Sequence, residues 1–382
     1  MLGSVKRVIV IGAGTMGLEA ALLAATRGHD VTVLEQGEVG DAIRRWGPTR
    51  CFSPFAMNVS ARARALLSEL PADDALLTGP EVAERVLVPL AQAAPLAGRV
   101  HTRHRVVSVG RARMRRDELP GHPLRSERSF RVLCDTPAGE RVFEADAVLD
   151  ASGVYGQPLP LGAGGVPAVG ERGLGDRVVR HLGELHARAP GWSGKRVLLA
   201  GHGHSAAHAA ALLVERAASL TWAVRAPNAR PVADVAGDPL PERAAVVARA
   251  NAIAAAPPAH VRIERRAHVE AIAEEGGALA VTLSGGRRVV VDEIVALTGY
   301  RPDASLASEL AVELSPATEG AGRLARAIAN VTDCLTVPSV SAADLASGEP
   351  GFALIGHKSY GRSRAFLLQT GLAQLETIVG AL

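Results

Sequence analysis

The chain has 382 residues, 48% of them hydrophobic and 21% charged, which is enough apolar material for two packed cores. Its net charge of +3 comes from scattered arginines and forms no stripe that could track nucleic-acid phosphates, and no apolar run approaches the ~20 residues of a membrane helix. Cys51, Cys134 and Cys334 are odd in number and far apart, which excludes a disulfide framework, a cysteine zinc site and a C-x-x-C redox pair.

The first informative segment is KRVIVIGAGTMGLEAALLAATRGHDVTVLEQ. The β-branched run Val8 to Ile11 predicts a buried parallel strand, which ends in Gly12, Gly14 and Gly17 ahead of an Ala/Leu-rich helix. Asp30 to Leu34 predicts a second strand, closed by Glu35. Each glycine has a physical task. Gly12 makes the tight turn, Gly14 lets backbone approach a pyrophosphate, and Gly17 lets the helix sit against the strand. The pyrophosphate would rest on the open amides at the helix start, while Glu35 accepts from ribose hydroxyls and repels a 2′-phosphate. That preference selects FAD or NAD over NADP at this loop. The apolar start runs straight into the glycine turn with no cleavage site, so a cytoplasmic protein is expected.

Farther along, the arginine run from Arg111 through Arg116 to Arg128 lies in a stretch broken by Pro and Gly, and a solvated insertion between strands is expected there. Ala147 to Asp150 predicts another strand. It is followed by the turn Ala151-Ser152-Gly153 and a Gly/Pro-rich linker at 153–170.

The segment KRVLLAGHGHSAAHAAALLVERAASLTWAVRA then repeats the opening pattern. Its strand is Arg196 to Ala200, its loop Gly201, Gly203 and Ser205, its helix starts near Ala206, and its next strand is Leu220 to Val224. This strand ends in Arg225 rather than an acid, and a guanidinium there suits the 2′-phosphate of NADPH. Ser205 reads as a phosphate contact or as the helix N-cap. Two loops of opposite preference suggest a hydride relay from nicotinamide to flavin. G-H-S-A-A also has the outline of a hydrolase nucleophile elbow, but an elbow leaves Gly201 and Arg225 unexplained. His204 and His208 have i, i+4 spacing without an acid or third ligand, so they are expected on the helix surface and no metal is expected. A last crossing, Thr298-Gly299-Tyr300, follows the predicted strand Ile294 to Leu297.

The loop G-H-G-H-S-A, the crossover DASGVYGQP from Asp150 to Pro158, and the strand end LTGYRPD from Leu297 to Asp303 together resemble the flavin-containing and Baeyer-Villiger monooxygenases, within the wider group of two-dinucleotide flavoproteins that includes thioredoxin reductase. The tail GFALIGHKSYGRSRAFLLQTGLAQL is similar to the strand-loop-helix that turns backbone amides toward the flavin in those enzymes. Gly356 and Gly361 are its glycines, and Tyr360 and Arg362 lie beside them, where contact with the flavin or an anionic substrate is expected, with exposed surface packing as the alternative.

The resemblance implies an α/β fold of two Rossmann-like three-layer dinucleotide-binding domains. An NADPH domain at 159–290 is inserted into a discontinuous FAD domain made of 1–158 and 291–382. It also implies cofactor-binding roles for Ser152, Gly153, Thr298 and Gly299. Asn58, in FSPFAMNVS, falls where these enzymes place a catalytic asparagine beside the flavin, with Arg50, Ser53 and Pro54 near the ring; a turn or N-cap role is the alternative. The match departs from the family at F-x-G-x-x-x-H, of which only Leu182-Gly183 and a misplaced His186 remain, and at His357, which stands where the disulfide-reductase branch has an acid.

The implied activity is NADPH-dependent, FAD-containing monooxygenation of a small molecule by dioxygen through a C4a-hydroperoxyflavin. The alternatives are an NAD(P)H:acceptor flavin oxidoreductase without oxygen insertion and a non-catalytic nucleotide-binding protein. A homodimer is the default assembly.

Overall fold

The computed structural model describes residues 4–382, which form two compact units. One unit takes the chain up to Arg44, Ser53–Gln157 and Arg301–Leu382; the other takes Arg45–Phe52 and Pro158–Tyr300.

In the first unit the chain makes β1 (Arg7–Ile11), the helix Thr15–Thr26, β2 (Asp30–Leu34) and the short β3 (Val100–His101). An antiparallel sheet follows, made of β4 (Arg105–Arg111), β5 (Phe130–Thr136) and β6 (Gly139–Ala145), and then β7 (Ala147–Asp150). Val8 to Ile11 are buried because a parallel strand is covered on both faces. Ile9 and Ile11 pack with Val106, Val109, Phe130 and Val132 of the antiparallel sheet, while the helix Thr15–Thr26, buried from Met16 to Ala24, also packs on β1.

The arginine run joins β4 to β5, and there the expectation of a wholly solvated insertion fails. Arg113, Arg115, Arg116 and Arg128 are exposed, but Arg111 and Arg125 are buried on either side of Glu349. Arg111 Nε lies 2.8 Å from Glu349 Oε1, Arg125 Nη2 lies 3.0 Å from Oε2, and the Arg111 guanidinium stacks 3.8 Å over the Phe130 ring. A run of like charge says nothing of a carboxylate more than 200 residues away in sequence. With each oxygen of that acid taking one guanidinium, and further donors satisfied by the carbonyls of Arg128 and Glu118, both arginines can be buried.

The second unit contains β8 (Val178–Val179), β9 (Arg196–Ala200), the helix His204–Arg216, β10 (Ser219–Val224), the helix Pro241–Ala255 and β11 (Val261–Arg265). An antiparallel trio follows, β12 (Val269–Glu275), β13 (Ala278–Leu283) and β14 (Arg287–Val291), and then β15 (Glu293–Ala296). The parallel order is β11-β10-β9-β15-β8. Alternate residues of β9 serve opposite faces. Val197 and Leu199 pack with Ala206, Ala210 and Leu213 of the first helix, whereas Leu198 and Ala200 pack with Ile272, Leu279 and Val281 of the antiparallel trio.

The chain re-enters the first unit, forms β16 (Phe352–Leu354) and ends in the helix Leu368–Gly380, which packs on Thr15–Thr26. β16 completes the parallel sheet β16-β7-β1-β2-β3. Each unit is therefore a helix layer, a parallel sheet and an antiparallel sheet, the α/β Rossmann-like three-layer class that the sequence predicts. Among the described residues no helix is long and apolar enough to cross a membrane.

Candidate functional site

At the first glycine loop, Gly12 has φ +100°, and a Cβ there would meet the Ala151 oxygen at 2.9 Å. A Cβ on Gly17 would lie 1.9 Å from the Gly12 oxygen, so helix and loop touch through bare backbone. Gly14 differs: it is the N-cap of Thr15–Thr26, no side chain caps that end, and a Cβ on it would meet nothing within 4 Å. No N-cap side chain therefore satisfies the first helix amides. Glu35, at the end of β2, is buried and accepts the amides of Ala13 at 2.7 Å and Gly37 at 2.8 Å, one on each carboxylate oxygen. The acid moulds the loop while keeping lone pairs for a ribose hydroxyl.

The second loop repeats this geometry. Gly201 has φ +129°, and a Cβ there would meet the Leu297 oxygen at 2.3 Å. Gly203 is the uncapped N-cap of His204–Arg216, with nothing within 4 Å of its Cβ position. The helix begins earlier than near Ala206, so Ser205 is its second residue and not its N-cap. A contact that the sequence does not announce fixes the loop: the buried Trp222 indole donates to the Gly201 carbonyl at 2.8 Å. Arg225 stands exposed just past β10.

His204 is exposed, but His208 is not a plain surface residue, because Phe52 stacks on its ring at 5.5 Å and meets His204 edge-on at 5.3 Å. Loss of hydration pushes the His208 imidazole down to about 4. Among the described residues no cluster of three metal-ligating side chains occurs.

The crossings are tied by backbone pairs. Leu159 N–H donates to the Gly299 carbonyl at 2.8 Å and the Thr298 hydroxyl donates to the Leu159 carbonyl; Arg301 N–H donates to the Gln157 carbonyl at 2.9 Å. Gly153 and Gly299 have φ +71° and +98°. Ser152 is held from both sides: its amide and hydroxyl donate to Asp150 Oδ1 at 3.1 and 2.7 Å, and Lys358 Nζ donates to its hydroxyl at 2.7 Å. Lys358 and Asp150, both buried, form an ion pair at 2.6 Å that the motif reading missed.

In the tail, Gly356 and Gly361 are required by close approach. A Cβ would meet Met16 Cγ at 2.7 Å in the first case and the Thr318 oxygen at 2.0 Å in the second. Tyr360 does not present its ring to a ligand. It is buried and its hydroxyl accepts from Gln374 at 2.8 Å, while Arg362 pairs with Glu319.

Asn58 ends a short turn at Phe55–Met57. Its Oδ1 accepts from the Ser53 hydroxyl at 2.7 Å and its Nδ2 donates to the Ser53 carbonyl at 3.0 Å, which leaves one amide hydrogen for another partner. Ser53 and Asn58 belong to the first unit, Arg50 to the second, where it is exposed. A cavity of about 430 Å³ in the first unit, over Asp150, Asp303, Glu319 and Lys358, takes in none of Gly12, Gly14, Glu35 or Asn58.

Residues 6–321 match the pyridine nucleotide-disulphide oxidoreductase family. The chain belongs to that family. Members of that family are FAD- and NAD(P)H-dependent flavoproteins, and this chain has their α/β fold with parallel-sheet Rossmann-like cores. Three solved structures share the fold of this pyridine nucleotide-disulphide oxidoreductase: bacillithiol disulfide reductase from Bacillus cereus (TM-score 0.70, 19% identity, 99% of this chain and 98% of that one), ornithine N-hydroxylase from Kutzneria sp. 744 (0.64, 16%, 99% and 98%) and flavin-containing monooxygenase from Stenotrophomonas maltophilia (0.61, 18%, 99% and 98%). A multifunctional alkene reductase/demethylase OYE of Caballeronia cordobensis is 73% identical over 30 residues, which are 8% of this chain and 4% of that protein. The family's name refers to disulphide chemistry, yet Cys51 and Cys134 form no disulfide, and burial pushes their thiols up to about 11.

Proposed function

We propose that this chain is an NADPH-dependent, FAD-containing monooxygenase that oxygenates a small molecule with dioxygen. The observation that carries the reading is the pair of uncapped helix starts at Gly14 and Gly203, each with open space where a side chain would stand. The first is followed by Glu35 and the second by Arg225, so the first suits a free ribose and the second a phosphorylated one. The first unit would hold FAD through Gly12, Gly14, Gly17 and Glu35, with Ser152, Gly153, Gly356 and Gly361 as supporting backbone. The second would hold NADPH through Gly201, Gly203, Ser205 and Arg225.

When bound, FAD supplies the two-electron and dioxygen chemistry that no side chain provides. The chain's own work is placement. Helix amides hold phosphates, Glu35 orients a ribose, and Asn58 offers the one amide hydrogen that Ser53 leaves uncommitted. Oxygenation is favoured over dithiol chemistry because the sequence has no C-x-x-C pair to relay electrons. The reading carries with it a cytoplasmic location and a homodimer.

The test is to reduce the purified protein anaerobically with NADPH while following the flavin absorbance, then admit oxygen with candidate substrates. Bleaching followed by oxygenated product, with peroxide well below the NADPH consumed, supports the proposal. Stoichiometric peroxide without product, for every soft nucleophile and carbonyl compound offered, would remove oxygen insertion and leave electron transfer to another acceptor.

A further inference from the structure

The parallel ladder between β10 and β11 breaks at one residue. Leu220 N–H donates to the His260 carbonyl, Leu220 pairs with Val261, and the register continues to Val224 opposite Arg265. A regular ladder would then bring the amide of residue 266 to the Val224 carbonyl. Ala267 makes that bond instead, at 3.0 Å, and Arg266 is left as an extra residue with φ 52°. This left-handed conformation favours glycine, and here it carries one of the longest side chains.

The bulge lies beside Arg225, the next residue after Val224 on the neighbouring strand. Both side chains are exposed, and among the described residues no hydrogen bond or ion pair engages either one. Their neighbours are committed: Arg230 pairs with Asp234, and Arg262 and Arg287 pair with Glu264. Arg265 holds the chain that follows Arg225, through the carbonyls of Asn228 at 3.1 Å, Ala229 at 3.4 Å and Ala254 at 2.7 Å. At the carboxyl edge of this sheet, where open α/β sheets take their ligands, two uncommitted guanidinium groups stand on adjacent strands over a braced loop.

We propose that Arg266 is the second arm of a phosphomonoester clamp, closing with Arg225 on the 2′-phosphate of the adenosine ribose; this rests on the NADPH reading of the second unit. A dianionic phosphate takes two guanidinium forks where a ribose hydroxyl takes none. The bulge is what turns residue 266 out of the ladder to reach it.

The experiment is calorimetry on the full-length protein with 2′,5′-ADP and 5′-AMP, for wild type, Arg266→Gly, Arg266→Lys and Arg225→Ala. Arg266→Gly is expected to weaken 2′,5′-ADP by about 10- to 100-fold, leave 5′-AMP within about twofold, and raise the unfolding temperature because glycine relaxes the bulge. Arg266→Lys is expected to fall between, keeping charge without the fork. If Arg266→Gly leaves the ratio of the two affinities unchanged while Arg225→Ala collapses it, the assignment of Arg266 is overturned and the nucleotide reading survives. If wild type binds both nucleotides alike, the NADPH reading fails and takes the clamp with it.

Discussion

Lys358 Nζ lies 2.6 Å from Asp150 Oδ2, with both side chains sealed from solvent and the two residues 208 positions apart in the chain. The same ammonium reaches the Ser152 hydroxyl, so one cation fixes the turn at which the chain leaves β7. Removing it would leave a carboxylate buried without its counter-charge. Lys358→Met is therefore expected to cost about 3–5 kcal/mol in urea denaturation, and adding Asp150→Asn should recover part of that. A single variant as stable as wild type would show that the pair does not hold the turn.

Gly14 and Gly17 stand three residues apart but should fail in different ways. A side chain at Gly14 has open space in the protein itself, so Gly14→Val should abolish FAD retention while changing unfolding by no more than about 1 kcal/mol when both proteins are compared free of flavin. At Gly17 the Cβ would collide with the Gly12 carbonyl, so even Gly17→Ala should cost at least about 2 kcal/mol before any ligand is considered. Flavin content per chain after purification, set beside the unfolding midpoint, checks both. Full flavin in Gly14→Val would mean that the pyrophosphate does not lie there.

What could be read from the sequence is what is local in it. The strands at Val8 and Val197, the glycines between strand and helix, and the acid or arginine that closes the next strand fall within about thirty residues, and turn chemistry dictates their types. The helix starts at His204, two residues ahead of the position that the sequence suggests, because Ser205 looks like a cap and Gly203 does not. Contacts at long separation could not be read. Glu349 between Arg111 and Arg125, Lys358 on Asp150, and the bulge at Arg266 each depend on which segments the topology brings together, and neither charge runs nor periodicity carries that information. Tyr360 shows the same limit, since a tyrosine beside loop glycines reads as exposed until the packing of Gln374 is known.

Trp222 offers a test confined to the second unit. Its indole bond to the Gly201 carbonyl fixes the loop from beneath, and Trp222→Phe keeps most of the ring volume while removing the donor. The loss of one such bond, about 1 kcal/mol, should appear as NADPH binding weakened by up to about tenfold, with flavin content unchanged. Fluorescence titration of the purified variant measures it; equal weakening of FAD would show that the substitution acts on the whole fold.

Two histidines set an acid limit on stability. His208 lies under the Phe52 ring and His357 is stacked on Phe366 at 5.4 Å, and loss of hydration holds both imidazoles down to about 4, against 6.5 when solvated. Between those values the unfolded chain binds a proton at each site and the folded chain does not, so stability rises with pH through this window. The contribution is complete above about 6.5, drains away as pH falls toward 4 and is flat below, on the order of 2–3 kcal/mol for each ring. Unfolding midpoints in urea between pH 4 and 7 should fall steeply with acid in wild type, and His208→Gln or His357→Gln should each flatten part of that slope even if it lowers the midpoint at pH 7. Neighbouring carboxylates titrate in the same window, but their share is common to wild type and variants and cancels in the difference. Parallel slopes in wild type and both variants would mean that the two imidazoles are protonated in the folded protein as readily as in the unfolded one.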